Sequence, residues 1–347
     1  MSKSLFYSAI VFLLWGCSPV VETSQKFAEG GEFSIENSIE YLDKIIKHNS
    51  SNSDALFQRA SLELKIARTL RAKEDIMEAL EEEPKNPDYL ILKAKIDNQL
   101  GQFQEAITTI ELLLENNIPI STVEDQLFVA ELYLKYGNES KSNYFLQKAA
   151  ASAPSFPDVI FQRARFYAIT HDTVKAINYY KLLLAKDSIH ENGIIGLADI
   201  FIQTSKSDSA LAWLDNLQKS KNHVYSCLIA RALKQKNQVD SASSWWGKAL
   251  LITPRLAEAH YELADYYYHK GNYPSAKSHL ASVPENEHNR YKGYNLLYAK
   301  TCTMLQDSAT AAIYYHKVYL QDSTLLRPKK KHHHTEKQSV TPNDSTK

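Results

Sequence analysis

Small residues recur along this chain at a nearly fixed interval, and that spacing restricts the accessible folds more than any other feature. Ala60, Ala94, Ala130, Ala164, Ala198, Ala230, Ala264 and Ala299 form one row at intervals of 34 residues or close to it. Twelve residues after each comes a second small residue: Ala72, Ala106, Ser142, Ala176, Ala210, Ala242, Ala276 and Ala311. Four further on stands a large apolar one: Ile76, Ile110, Leu146, Tyr180, Leu214, Trp246, Leu280 and Tyr315. The segments Phe57-Gln58-Arg59-Ala60 and Phe161-Gln162-Arg163-Ala164 are identical and 104 residues, about three periods, apart. A period of this length marks a stack of supersecondary units, each burying its apolar face on the next.

The three rows describe a helical hairpin. Small residues at fixed points on two antiparallel helices let their backbones approach, and the bulky residue one turn later fills the space toward the next hairpin. Scarce glycine (10) and plentiful tyrosine (21) suit helices packed with rings better than a turn-rich β architecture. Turn residues fall between the helices, as in Tyr136-Gly137-Asn138 and Lys270-Gly271-Asn272. Pro84, Pro154 and Pro254 follow second helices, where a helix must stop.

The unit resembles the tetratricopeptide repeat (TPR), which carries small residues at positions 8, 20 and 27, an aromatic at 11 and a proline at 32. Tyr133, Tyr167, Phe201 and Tyr267 match the aromatic, and Ala79, Ala149 and Ala249 the second-helix alanine. Glu63 and Asp97 replace the aromatic in the first two repeats, which are the least regular in sequence, and the tryptophan common at position 4 is absent. Upstream, Ser38, Leu42 and Ile45 fit a lone second helix in the same register. The resemblance implies an all-α, right-handed superhelical solenoid over residues 34–325, with about eight helical hairpins plus an N-terminal half repeat.

The N-terminus carries a separate signal. Lys3 precedes an apolar run from Leu5 to Leu14, too short to span a bilayer as a mature helix, and the run ends in Leu14-Trp15-Gly16-Cys17. This resembles the bacterial lipobox, with Trp15 bulkier than the usual occupant. The resemblance implies a signal peptide over residues 1–16, cleavage after Gly16, and acyl chains on Cys17; a plain secretory signal is the alternative. Several acyl chains give stable anchoring where one is marginal. Residues 17–33, with Gly30-Gly31, read as a tether, and 326–347, starting near Arg327-Pro-Lys-Lys-Lys-His-His-His, as a disordered basic and polar tail.

Chemistry is harder to find. Phosphate loops, zincin motifs, nucleophile elbows and Cys-x-x-Cys pairs are missing from the sequence, so no enzyme, cofactor or metal site is read from it. Cys227 and Cys302 fall at different heights of the stack, beyond disulfide reach. The 40 basic and 40 acidic residues cancel, leaving no general attraction to nucleic acid. Trp246 and Tyr267 sit at core positions of the register, so they read as packing rather than as a stacking platform. Asp followed by Ser or Thr recurs at Thr173, Ser188, Ser209, Ser241, Ser308, Ser323 and Ser345. The tripeptides resemble the O-glycosylation acceptors of Bacteroidota-type bacteria, while most also fall at turns, where Asp and Ser cap helices.

In the TPR family the concave face is built from first-helix positions 2, 5, 9 and 12. Position 5 here reads Phe57, Ile91, Leu127, Phe161, Ile195, Cys227, Tyr261 and Leu296; apart from Cys227 these are the candidate partner-binding residues. Position 9 alternates in sign after Ser61: Lys95, Glu131, Arg165, Asp199, Arg231, Asp265 and Lys300. The carboxylate clamp of the chaperone adaptors is absent. An apolar stripe beside alternating charges suits an extended or helical segment of a partner. The leading reading is therefore a lipid-anchored, periplasm-facing scaffold or adaptor of the outer membrane whose partners are envelope proteins. A subunit of an outer-membrane insertion, secretion or motility machine comes second, and a glycan-capture lipoprotein third.

Overall fold

The computed structural model describes residues 34–217 and 220–322. Among them lie seventeen α-helices and no strand. A lone helix α1 (Ile35–His48), capped by the Ser34 hydroxyl, precedes eight hairpins. These are α2 (Ser53–Lys65) with α3 (Thr69–Glu82), α4 (Pro87–Gln99) with α5 (Phe103–Glu115), α6 (Val123–Lys135) with α7 (Glu139–Ser152), and α8 (Pro157–Ile169) with α9 (Thr173–Lys186). There follow α10 (Glu191–Gln203) with α11 (Ser207–Leu214), α12 (His223–Gln235) with α13 (Val239–Ile252), α14 (Ala257–His269) with α15 (Tyr273–Ala281), and α16 (Tyr294–Met304) with α17 (Ser308–Asp322). The architecture is the TPR-like helical solenoid that the repeat implied, half repeat included. Two compact units meet at residues 183 and 184, inside α9.

Every hairpin turns through one left-handed residue at the same register: Ala67, Gly101, Gly137, His171, Ser205, Asn237, Gly271 and Gln306, with φ between 57° and 80°. The next amide usually closes the helix end, as when Gln102 N–H donates to Asp97 O at 2.8 Å and Asn138 N–H to Tyr133 O at 2.8 Å. Only three of the eight positions hold glycine, so a glycine search finds fewer than half of these turns.

In the first unit, Leu56, Ala60, Ala72, Ile76, Tyr89 and Ile96 form one core cluster, and Ala94, Ala106, Ile110, Ala130, Leu146 and Val159 belong to a second. In the second unit, Ala230, Trp246, Ala249 and Leu263 pack together, as do Ala264, Leu280, Tyr294 and Ala311. All three rows are therefore core, except that Tyr315 is only half-buried. Fully burying side chains such as Ile76, Ile110 or Leu214 stabilises by about 1.5–3 kcal/mol each. Cys227 and Cys302 are free and buried.

The departures from a 34-residue spacing have visible causes. Between Ala94 and Ala130 the chain inserts a longer loop after α5. In the fifth hairpin α11 stops after 8 residues and gives way to a 3-10 turn, Asp215–Leu217. In the seventh, α15 has 9 residues, and Pro284 leads into a 3-10 turn, Glu285–Arg290. The first two hairpins, least regular in sequence, are geometrically ordinary, with helices of 13 or 14 residues. Their anomaly lies in the core. Asp97 is fully buried and accepts from Lys93 Nζ at 2.7 Å and Lys73 Nζ at 2.9 Å. At the same register, Tyr133 instead donates its hydroxyl to Glu111 at 2.8 Å, beneath the Lys141 ammonium.

Candidate partner-binding face

Position 5 lies on the first helix of each hairpin, one turn before the row-one alanine. The structure splits the stripe. Phe57, Phe161, Ile195, Tyr261 and Leu296 are half-buried, whereas Ile91 and Leu127 are buried at 5% and 6% exposure. Cys227 is also buried, and burial, then the nearby Glu258 charge, pushes its thiol up to about 12. The exposed rings are braced by neighbours. Phe57 stacks on Tyr89 of the next hairpin at 5.0 Å, and Tyr89 donates its hydroxyl to Asp54. Phe161 meets Tyr180 edge-on at 6.4 Å and lies under the Arg165 guanidinium. Tyr261 stacks on Tyr291 at 4.6 Å, and burial pushes its hydroxyl up to about 12.

Five of the seven alternating charges at position 9, Lys95, Glu131, Arg165, Asp199 and Arg231, pair between successive first helices, whereas Asp265 meets His269 of its own helix at 3.4 Å. In the first unit Lys95 reaches Asp125 at 2.6 Å and Glu131 reaches Arg165 at 3.3 Å. Burial opposes the Glu131 charge, yet Arg165 and Lys135 hold its carboxyl below the ordinary value. In the second unit Arg231 contacts Asp199 at 3.4 Å and clasps Glu258 through two nitrogens at 2.5 Å each. Lys234 pairs with Glu262 beside it. Hydrogen bonding to Glu258 raises the Arg231 guanidinium further. Within each unit the alternation thus reads first as a ladder of cross-repeat ion pairs. Asp125, Glu258 and Glu262 were missed as members of it; the sequence signal was an acid near the start of the following first helix.

The Asp-Ser/Thr tripeptides sit at helix starts and one turn. Asp172 and Asp307 cap α9 and α17 by accepting from Lys175 N–H and Thr310 N–H, each at 3.1 Å. Asp187 makes a tight turn to Ile189 N–H at 3.2 Å. Asp240 accepts from Tyr266 and Lys270, and Asp208 from Lys236, across to the following hairpin. Ser188, Ser209, Ser241 and Ser308 are exposed and Thr173 half-exposed. Cys17, Ser323 and Ser345 lie outside the described residues, as do the signal, tether and tail segments. Among the described residues no group of three His, Cys, Asp or Glu side chains is placed to hold a metal, and no helix is long and apolar enough to cross a membrane.

No family model matches the sequence, and no curated protein matches it either. Solved structures do. The pilF protein of Pseudomonas aeruginosa superposes with a TM-score of 0.55 at 18% identity, covering 58% of this chain and 91% of that one. PilW, a widely conserved type IV pilus biogenesis factor, gives 0.52 at 14%, covering 60% and 100%. The human IFIT1 dimer with m7Gppp-AAAA gives 0.57 at 15%, covering 85% and 69%. At these identities the likeness is one of fold.

Proposed function

We propose that this chain is a protein–protein interaction scaffold that receives segments of envelope partners on its first-helix face, held at the outer membrane by lipid on Cys17 and facing the periplasm. One observation carries the binding reading: a half-exposed apolar stripe most of whose flanking charges are already paired by the protein itself. A partner that covers Phe161 removes apolar surface from water beside Glu131 and Arg165, which already pair with each other, and this is the arrangement of an interface core. The anchoring rests on Leu14-Trp15-Gly16-Cys17. A second reading, a subunit of a secretion or motility machine, is favoured by the fold likeness to a type IV pilus biogenesis factor. It asks the same of the face.

The test is a pair of single variants, Phe161→Asp and Tyr261→Asp, in capture of partners from the native envelope. Interface aromatics cost about 2 kcal/mol or more when truncated, so each change lowers capture about thirtyfold. Each ring also loses its aromatic neighbour, about 0.5–1.5 kcal/mol of stability, which leaves the helical circular dichroism intact. Unfolding would make these rings core, and undiminished capture by folded variants would place the partner on another surface.

A further inference from the structure

We propose that the seventh hairpin carries an acid-sensitive latch, in which charging both His260 of α14 and His279 of α15 releases α15 and the 3-10 turn behind it from α14. The two imidazoles meet across the hairpin with ring centroids 5.3 Å apart and Nδ1 atoms 3.0 Å apart. Pro254 O, which can only accept, lies 2.9 Å from His260 Nε2, so that nitrogen carries a hydrogen and the ring is fixed. Only one further hydrogen fits between the two Nδ1 atoms. An imidazolium needs a hydrogen on both its nitrogens, so the pair in place holds at most one positive charge. A second charge requires the rings to part.

The surroundings do not offset that second charge. His279 is half-buried and stacks on the Tyr267 ring of α14 at 5.5 Å. His260 forms part of the wall of a cleft of about 780 Å³, to which the other elements bring Arg255, His288, Lys317 and one carboxylate, Glu285. Neither histidine forms an ion pair with a described carboxylate, and burial raises the cleft hydroxyls of Tyr294, Tyr298 and Tyr314, which stay neutral in acid. The element suited to yield is α15. It has 9 residues, against 14 in α13 before it and 15 in α17 after it, and buries only Ala276 and Leu280. Its ties to the next hairpin are the Tyr294 hydroxyl on Leu280 O at 2.9 Å and the Lys277–Asp307 pair at 2.7 Å. So few buried contacts mark a segment that opens locally. Pro284 carries the chain from α15 into the 3-10 turn and on to Tyr291, whose ring stacks on Tyr261 of the candidate face. Opening therefore lifts Tyr291 from Tyr261, although the latch does not depend on that face binding a partner.

The experiment is hydrogen–deuterium exchange of the full chain, with each segment's rate expressed relative to its intrinsic rate at the same pH. A free imidazole titrates near about 6.5, so a closed hairpin that refuses the second proton gains up to about thirtyfold in open population between about pH 7.5 and about pH 5. Protection of residues 273–291 is expected to fall about tenfold or more over that range while α13 keeps its own. In His279→Gln and in His260→Gln, which cannot take the second charge, the fall should stay within about twofold. His288→Gln should still open, because that ring lies outside the pair. Unchanged protection of residues 273–291 in the wild type overturns the proposal, as does an equal fall in His279→Gln or a fall spread evenly over every hairpin. Because His260 is buried, folding of its variant is checked by circular dichroism; if it unfolds, His279→Gln decides. Exchange is read without a partner, so failure here leaves the scaffold reading standing and the reverse holds too.

Discussion

Replacing Asp97 by alanine should destabilise the first unit more than any surface change, by an amount the geometry bounds. Asp97 is fully buried, and its removal strands two ammonium groups, Lys93 and Lys73, whose side chains are 21% and 31% exposed. Breaking a fully buried ion pair costs about 3–5 kcal/mol. Here the lysines keep part of their solvation, and each keeps another acceptor, Thr109 Oγ1 at 3.0 Å for Lys93 and Gln102 Oε1 at 2.5 Å for Lys73. The loss therefore falls at or below the lower end, about 2–3 kcal/mol. At about 2–4 °C per kcal/mol for a body of this size, the first unit should melt about 4–12 °C lower. Thermal melts followed by helical circular dichroism at neutral pH measure this directly. The triple change Asp97→Leu, Lys73→Met, Lys93→Met should recover most of the loss, because apolar replacement of a whole buried ionic cluster is often neutral. A single Asp97→Ala variant melting within about 1 °C of wild type would refute the reasoning, as would a triple variant no better than the single.

Two further outcomes follow from the site chemistry. Burial, and then the neighbouring His260, hold His279 below its ordinary 6.5, so the unfolded chain binds that proton first; stability is full above that value and is lost as pH falls through it toward the depressed one. The two rings face each other: His260 Nε2–H donates to Pro254 O at 2.9 Å, and its Nδ1 lies 3.0 Å from His279 Nδ1, so the two Nδ1 atoms share room for only one hydrogen and both rings cannot be charged together in place. Melts stepped from about pH 7.5 to about pH 5 should therefore drop for wild type and drop less for His279→Gln. Protein purified from its own host should exceed the polypeptide mass from Cys17 onward by acyl chains, lost in Cys17→Ala, and by glycan on Ser209, Ser241 or Ser308. An intact mass equal to the bare polypeptide removes both modifications and leaves the aspartates as helix caps and cross-repeat partners.

Much of the fold was written in three rows of residues, because close helix approach demands a small side chain at a fixed point. Ala60, Ala94 and Ala164 have no exposed surface for that reason, and Ser142 is tolerated in the same role because serine is nearly as small. The turns were less legible. Ala67, His171, Ser205 and Gln306 adopt a left-handed backbone that tertiary packing imposes and local preference opposes. The shortened α11 and α15 showed only as altered spacing, which locates an irregularity without saying which helix yields. In the candidate face, position 5 was found by register, but the register alone does not say how far a neighbour covers each residue. Ile91 and Leu127 are closed over, while Phe161 and Tyr261 are only half-buried. The alternating charges at position 9 looked like features offered to a partner. Their ladder joins residues about 30 apart in sequence, such as Lys95 with Asp125, so it becomes visible only once successive hairpins are stacked.

The scaffold reading stands or falls on which face the partner touches, and site-specific photocrosslinking in the native envelope reads that face directly. A crosslinking residue placed at Phe161 or Ile195, both half-buried on first helices, should join the chain to the same partner. The same residue at Leu70 or Leu251, which are 69% and 86% exposed on second helices, should not. Adducts confined to Leu70 and Leu251, with none from Phe161 or Ile195, would contradict the account.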